Sequence, residues 1–319
     1  MSLRGSLPYI GSLMSQTQST ESGQRVLVAV DFSTASRAAL QQGSRVAKAR
    51  GLPLEVLHVV SNQAVTQLAA ARQADFHTQA EIAVEGARKA MQQWLPGTGV
   101  DAAATRVSIS VEAPVEAILS AAENAALLVM GAVGGGGARA GSGSVGPKVV
   151  RKSGVPVLLV PAGGDDVALD RALAAIDLSA ESEAVLRAAE RFCAGGRDAV
   201  TALHVWHQPW EALGYMLPVI EGPEDLREAY IRAVRDEWRE LAERIGWPED
   251  HIILEEGTRP ADVIARHAAE RDAPLIVVGA HGRSNIRHFL LGSTAETVLK
   301  ETAAALLVVR ADAGESGGA

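Results

Sequence analysis

The chain has 319 residues, 47% of them hydrophobic, and a formal net charge of -8 from 38 Asp and Glu against 30 Lys and Arg. That length exceeds one typical domain and leaves each half enough apolar sequence to bury a core of its own. The acidic balance, with its cations scattered and not clustered, excludes a general nucleic-acid binder, which must neutralise phosphates with grouped Lys and Arg.

Residues 1–23 are rich in Ser, Thr, Gln and Gly and carry only isolated apolar residues. They lack the continuous apolar stretch of a signal peptide and are expected to form a disordered leader. A first unit is expected over residues 24–162, with strands RVLVAVD, LEVLHVV, TRVSIS, LLVMG and PVLLV, each followed by a helical pattern except the last. The segment PAGGDDVALD then reads as a short linker. A second unit is expected over residues 170–311, with strands RALAAID, VTALHVW, HIILEE, LIVVGA and ALLVV. Residues 312–319 read as a second loose tail. Nowhere does an apolar stretch approach the length needed to cross a bilayer, so no membrane insertion is expected. The single Cys193 has no disulfide partner and no Cys/His cluster at metal spacing. It is expected to be a small buried apolar residue in a reduced, cytoplasmic protein.

The two units are copies of each other. VLVAVDFSTAS matches ALAAIDLSAES, so Asp31 answers to Asp177. His58 and Val59 answer to His204 and Val205, Pro114 to Pro260 and Gly131 to Gly279, all in one order along the chain. Continuously apolar strands spaced by helices imply a parallel sheet covered on both faces. The fold class is therefore α/β, two tandem doubly wound five-stranded domains. Pro114 and Pro260 fall where the first turn of a helix tolerates a missing amide. In such a sheet ligands bind beyond the carboxyl ends of the strands, where the strand order reverses. Asp177, Val205, Trp206 and Gly279 stand at such ends.

The segment GAHGRSNIRHFLLGS follows a strand and precedes a helix. Gly279, two residues, Gly282, nine residues, Gly292 and Ser293 would form a phosphate cradle, with free amides and a positive helix end facing an anion. Arg283, Arg287, His281 and His288 form a local positive cluster within it, suited to a triphosphate. Plainer readings compete with each assignment. The glycines could serve a tight turn, Gly292 and Ser293 a helix cap, and Asp177 a helix N-cap; the loop could be an ordinary solvated one. His204 reads as a hydrogen-bonded core residue. GSGSVG at Gly141 to Gly146 follows a fourth strand and has no acid after the next one, so it is not a dinucleotide fingerprint. No P-loop motif is present.

These residues resemble the universal stress protein family, and the second half resembles its ATP-binding type. Gly279, Gly282, Gly292 and Ser293 match the nucleotide motif without a gap, and Asp177, His204 and Val205 match the early Asp and the His-Val pair. The whole chain resembles the tandem-domain members. The resemblance implies strand order 3-2-1-4-5 in each domain and ATP, with or without Mg²⁺, as the ligand. It implies that Asp177 contacts the adenosine and that Val205 meets the adenine through its backbone. Gly279 and Gly282 would pass close to ribose and phosphates, while Gly292 and Ser293, with Arg283 and Thr294 beside them, would hold phosphate oxygens. Family members commonly pair through their last strands, so the halves are expected to pack as an internal pseudo-dimer, with room for a further homodimer.

The first half departs from the motif. Gly131 and Gly134 are present, but eight residues and not nine precede Gly143 and Ser144, and the loop GGGARAGS lacks the aliphatic anchors that Phe289, Leu290 and Leu291 supply in the second copy. Glycine makes such a loop costly to order. Asp31, Val59, Gly131, Gly134, Gly143 and Ser144 therefore mark a degenerate site. The segment from Val205 to Gly222 concentrates aromatic and aliphatic residues between Trp206 and Ile220 that the first half lacks. It is expected to cap the core or the junction of the halves, to close over the adenine, or to dock an unidentified protein partner. The reading is an ATP-binding, nucleotide-responsive stress and signalling module. No carboxylate pair suited to Mg²⁺ lies near the motif, so an enzymatic alternative is at most a slow ATP hydrolase, with His281 able to orient a water. A third alternative is a scaffold or apolar-ligand binder that takes no nucleotide.

Overall fold

The computed structural model describes residues 24–132, 145–164, 167–207, 223–280, 294–295, 297–298 and 302–310, without the side chains of 223–226. All ten expected strands form. In the first half these are β1 (Arg25–Val30), β2 (Leu54–Ser61), β3 (Thr105–Glu112), β4 (Ala125–Gly131) and β5 (Val157–Val160). In the second they are β6 (Ala172–Ile176), β7 (Val200–Trp206), β8 (Ile252–Glu256), β9 (Leu275–Gly279) and β10 (Ala305–Val309). The α-helices whose bounds lie among the described residues are α1 (Thr34–Arg50), α2 (Asn62–Arg72), α3 (Phe76–Trp94), α4 (Pro114–Ala122), α5 (Val145–Lys152), α6 (Glu181–Phe192), α7 (Pro223–Ile245) and α8 (Pro260–Glu270), and residues 294–295 and 297–298 are helical as well.

The strands make one ten-stranded sheet in the order β3-β2-β1-β4-β5-β10-β9-β6-β7-β8. Each half has the order 3-2-1-4-5 and parallel pairing throughout, and the halves meet where β5 and β10 run antiparallel. Leu158 pairs with Leu307, and Val157 and Leu159 pair with Val308 and Leu306. The register is thus symmetric about the two central leucines, which are shut from solvent. One apolar layer joins α1 and α6 to both halves of the sheet, and the other face is covered by α4, α5 and α8. The internal pseudo-dimer is a shared sheet with shared cores.

Local sequence accounts for the elements. The strands of the centre are apolar on both faces, as a sheet covered twice requires: every residue of β5 and β10 is buried. Pro114 and Pro260 open α4 and α8. Gly51 ends α1 with φ 62°, a left-handed cap that glycine adopts freely. Gly43 faces β1, where a Cβ would lie 2.6 Å from Val28 Cγ2; α1 therefore rests directly on the sheet. The linker is stapled to α1, because the buried Gln42 donates to the carbonyls of Gly164 and Val167, each at 2.6 Å. Arg191 donates to Gln24 at 3.0 Å and Arg310 donates to the carbonyl of Arg151, two further bonds across the halves.

Candidate functional site

In each half the chain leaves the first strand on an Asp and turns into a helix that must cross the strand ends. Asp31 Oδ1 accepts the amide of Ser33 at 3.1 Å and the hydroxyl of Ser36 at 2.5 Å. Asp177 Oδ1 accepts the amide of Ser179 at 3.0 Å and the hydroxyl of Ser182 at 3.3 Å. Neither Asp is the helix N-cap. In the first half that place belongs to Ser33, whose hydroxyl accepts the amide of Ser36 at 3.1 Å. The Asp instead holds a turn two residues long.

The residue inside that turn is strained in both copies. Phe32 has φ 64° and Leu178 has φ 59°, a left-handed backbone that costs a bulky side chain about 1 kcal/mol or more. Two copies retain it although glycine would relieve it. The turn projects the carboxylate at the strand end instead of letting the helix begin there. Burial opposes ionisation of Asp31, but the hydrogen bonds from Ser33 and Ser36 outweigh it and set its pKa below the ordinary Asp value.

The neighbouring strands bring the other sequence-predicted residues alongside. Ile176 pairs with His204 and Ala175 with Val278, so Asp177, Val205 and Gly279 end three adjacent parallel strands. Val30 pairs with His58 and Ala29 with Met130, which sets Asp31, Val59 and Gly131 in the same relation. The histidines are structural: Nδ1 of His58 lies 2.9 Å from the Val30 carbonyl, and Nδ1 of His204 lies 3.0 Å from that of Ile176. Each ties the second strand to the last residue of the first.

Gly131 has a steric reason. A Cβ there would lie 2.7 Å from the Ala35 carbonyl carbon and 2.9 Å from the Ser36 nitrogen, so the end of β4 and the first turn of α1 touch backbone to backbone. Thr294 is helical and half-buried, with Ala295 and Val298 buried beneath it. Gly282, Arg283, Gly292 and Ser293, like Gly134, Gly143 and Ser144, lie outside the described residues, as does most of the aromatic segment. Of that segment, Trp206 is buried at the end of β7, its ring 5.6 Å from that of Tyr230 and 5.5 Å from the Arg227 guanidinium. Cys193 is buried, and burial raises its thiol pKa.

Ser36 and Ser182 were not singled out by the sequence reading. They are buried and grip the two carboxylates. The signal was present, since Asp-x-Ser-x-x-Ser recurs as DFSTAS and DLSAES. Beside the second turn, Leu178, Ser179, Glu237, Glu240, Leu241 and Arg244 line an open groove of about 330 Å³. A larger open depression of about 640 Å³ lies at the opposite ends of the strands, among Asp170, Arg171, Ala268, Pro274 and Thr302, away from these carboxylates.

The universal stress protein family model matches residues 23–161 and again residues 169–310. The chain belongs to the universal stress protein family. A universal stress protein of Mycolicibacterium smegmatis is 30% identical over 300 residues, covering 89% of this chain and 96% of its own length. One of Mycobacterium tuberculosis is 30% identical over 313 residues with the same coverage. Among solved structures, a universal stress protein from Archaeoglobus fulgidus shares the fold at a TM-score of 0.57 and 22% identity, over 89% of this chain and 98% of that one. The relatives span both halves, so the family's tandem arrangement matches the doubled sheet seen here. Among the described residues, no helix is long and apolar enough to cross a membrane.

Proposed function

We propose that this universal stress protein binds ATP through its second half and acts as a nucleotide-responsive stress and signalling module. The observation that carries the reading is the convergence of Asp177, Val205 and Gly279 at three adjacent strand ends, with Gly279 opening the unbroken motif that ends at Gly292 and Ser293. The donor set suits an adenine nucleotide. Asp177 offers a carboxylate to ribose hydroxyls, and the end of β7 offers backbone polar groups to a base. The helix that includes Thr294 supplies amides and a hydroxyl near phosphates, and Arg283 adds a cation.

No group of three or more His, Cys, Asp or Glu among the described residues could hold a metal ion. The protein's part in the chemistry is to hold and shield the nucleotide; the partner that reads the loaded state is a protein of unidentified kind. Protein purified without added nucleotide, denatured in acid and resolved by anion exchange, is expected to release adenine nucleotide. Gly282→Val combined with Gly292→Val is expected to abolish that signal while the far-ultraviolet circular dichroism is kept. Nucleotide retained by the double variant would place the site elsewhere.

A further inference from the structure

The two outer edges of the ten-stranded sheet are β3 and β8, and they are built differently. β8 has five residues and ends in Glu255 and Glu256, whose carboxylates are held by Arg266 and Arg227 at 2.9 Å each. Laid antiparallel on itself it would oppose Ile252 to Glu256 and Ile253 to Glu255, apolar against charge. Charged, short edges of this kind resist strand addition.

β3 has eight residues. Among the described residues its backbone pairs with β2 alone. From Arg106 to Glu112 it reads Arg-Val-Ser-Ile-Ser-Val-Glu, a palindrome in side-chain type with opposite charges at its two ends. Arg106 and Glu112 are exposed, and neither has an ion pair among the described residues. Val107 is 39% exposed, one of four large apolar side chains so placed among the described residues. Two of the others, Leu68 and Ile82, belong to α2 and α3, which with α4 are the helices that pack against β3.

We propose that β3 pairs antiparallel with β3 of a second copy of this chain, about a two-fold axis through Ile109. In that register Arg106 faces the second copy's Glu112, Val107 faces Val111, Ser108 faces Ser110, and Ile109 faces its own counterpart. Every cross-strand pair is of a favourable kind: two opposite-charge pairs, apolar β-branched pairs, and hydroxyl pairs. The alternation of the strand puts Val107, Ile109 and Val111 on one face and Arg106, Ser108, Ser110 and Glu112 on the other, so both faces match at once. A shift by one residue would set Arg106 against Val111 and lose the match. The contact is isologous and closed, and it would join two ten-stranded sheets into one. Seven paired residues make an interface at or below the small end of the ~1,200–2,000 Å² range. The dimer is therefore in exchange with monomer, and the pairing is independent of whether the chain binds nucleotide.

The test is sedimentation velocity of the full chain over about 1–500 µM, with charge-reversal variants. Arg106→Glu and Glu112→Arg each place like charges opposite one another twice per dimer and are expected to raise the dissociation constant about tenfold. The double variant Arg106→Glu with Glu112→Arg restores opposite charges and is expected to return to the wild-type value. Ile109→Cys, lying on the axis within disulfide reach of itself, is expected to give a covalent dimer under mild oxidation. The wild-type chain, whose Cys193 is buried, gives none, and Ser108→Cys cross-links more slowly. A chain that stays monomeric throughout the range overturns the proposal. So does a dimer indifferent to either single reversal, one not rescued by the double variant, or one that cross-links faster at 108 than at 109.

Discussion

The two halves agree in their scaffold and differ beside the turn that carries the Asp. Both have the Asp turn, the left-handed residue within it, the buried Ser and the His that ties the second strand to the first. In the first half the left-handed residue is Phe32, whose ring lies 4.5 Å from His58 and 5.6 Å from Trp94, with Arg37 over Trp94 at 5.6 Å. An aromatic stack fills the space between the turn and α3. In the second half Leu178 takes that place, and the open groove of about 330 Å³ lies between it and α7. A duplicated fold can conserve the device that presents a carboxylate while the residue inside the turn packs on an aromatic stack in one copy and borders an open groove in the other.

The shared scaffold predicts equivalence where the halves join. Leu158 and Leu307 face each other across the pseudo-two-fold and are 1% and 0% exposed. Leu158→Ala and Leu307→Ala are expected to cost about 3 kcal/mol each in urea unfolding. Because the two side chains share one contact, the double variant should cost less than the sum. A large difference between the single variants would mean that the symmetry of pairing is not a symmetry of energetics. Close to this in size is Gly131→Val. The added Cβ meets backbone at 2.7 Å, which no rotamer change relieves, so about 2 kcal/mol is expected to be lost. The Asp31 turn would be displaced with it, visible as altered amide shifts at Ser33 and Ser36.

The fold was legible because the duplication supplied each element twice. The apolar runs of the strands, the two helix-opening prolines and the paired Asp, His and Gly landmarks agreed across copies, and no single run had to be judged alone. The convergence of Asp177, Val205 and Gly279 followed from the strand order, since doubly wound sheets place strands one, two and four side by side. One thing was legible only as a repeated pattern, the Asp-x-Ser-x-x-Ser of both copies, and one was not legible at all. Ser36 and Ser182 recur in that pattern but resemble ordinary first-turn residues, and it is the three-dimensional turn that gives the pattern its meaning, a bond to a carboxylate five positions back. The left-handed backbone at Phe32 and Leu178 runs against residue preference. Bulky side chains give no sequence sign of it, because the strain is sustained by the Asp-Ser bonds around it.

A smaller effect separates the halves by function. Asp177→Asn is expected to lower nucleotide content at saturating protein purity about tenfold, as the loss of a charged hydrogen-bond acceptor to ribose. Asp31→Asn should leave the content unchanged if the first crevice holds none. The readout is nucleotide per chain after acid release. Equal losses from the two variants would erase the proposed difference between the copies, and no loss from either would remove Asp177 from the site.

The smallest expected effect concerns protons. The Asp31 pKa lies below its ordinary value because bonds from Ser33 and Ser36 overcome burial. A carboxylate with a depressed folded pKa contributes stability that is fully present above its unfolded pKa, near 3.9, and that is lost as the pH falls through the folded value. Ser36→Ala removes the 2.5 Å hydroxyl bond, so the Asp31 pKa should rise, as followed by carboxyl-carbon NMR titration. The stability difference between wild type and variant should then be constant at neutral pH and shrink below about pH 4. A difference that persists unchanged into strong acid would show that Ser36 acts through helix capping or packing, and that the bond to Asp31 is a consequence of the turn and not what holds it.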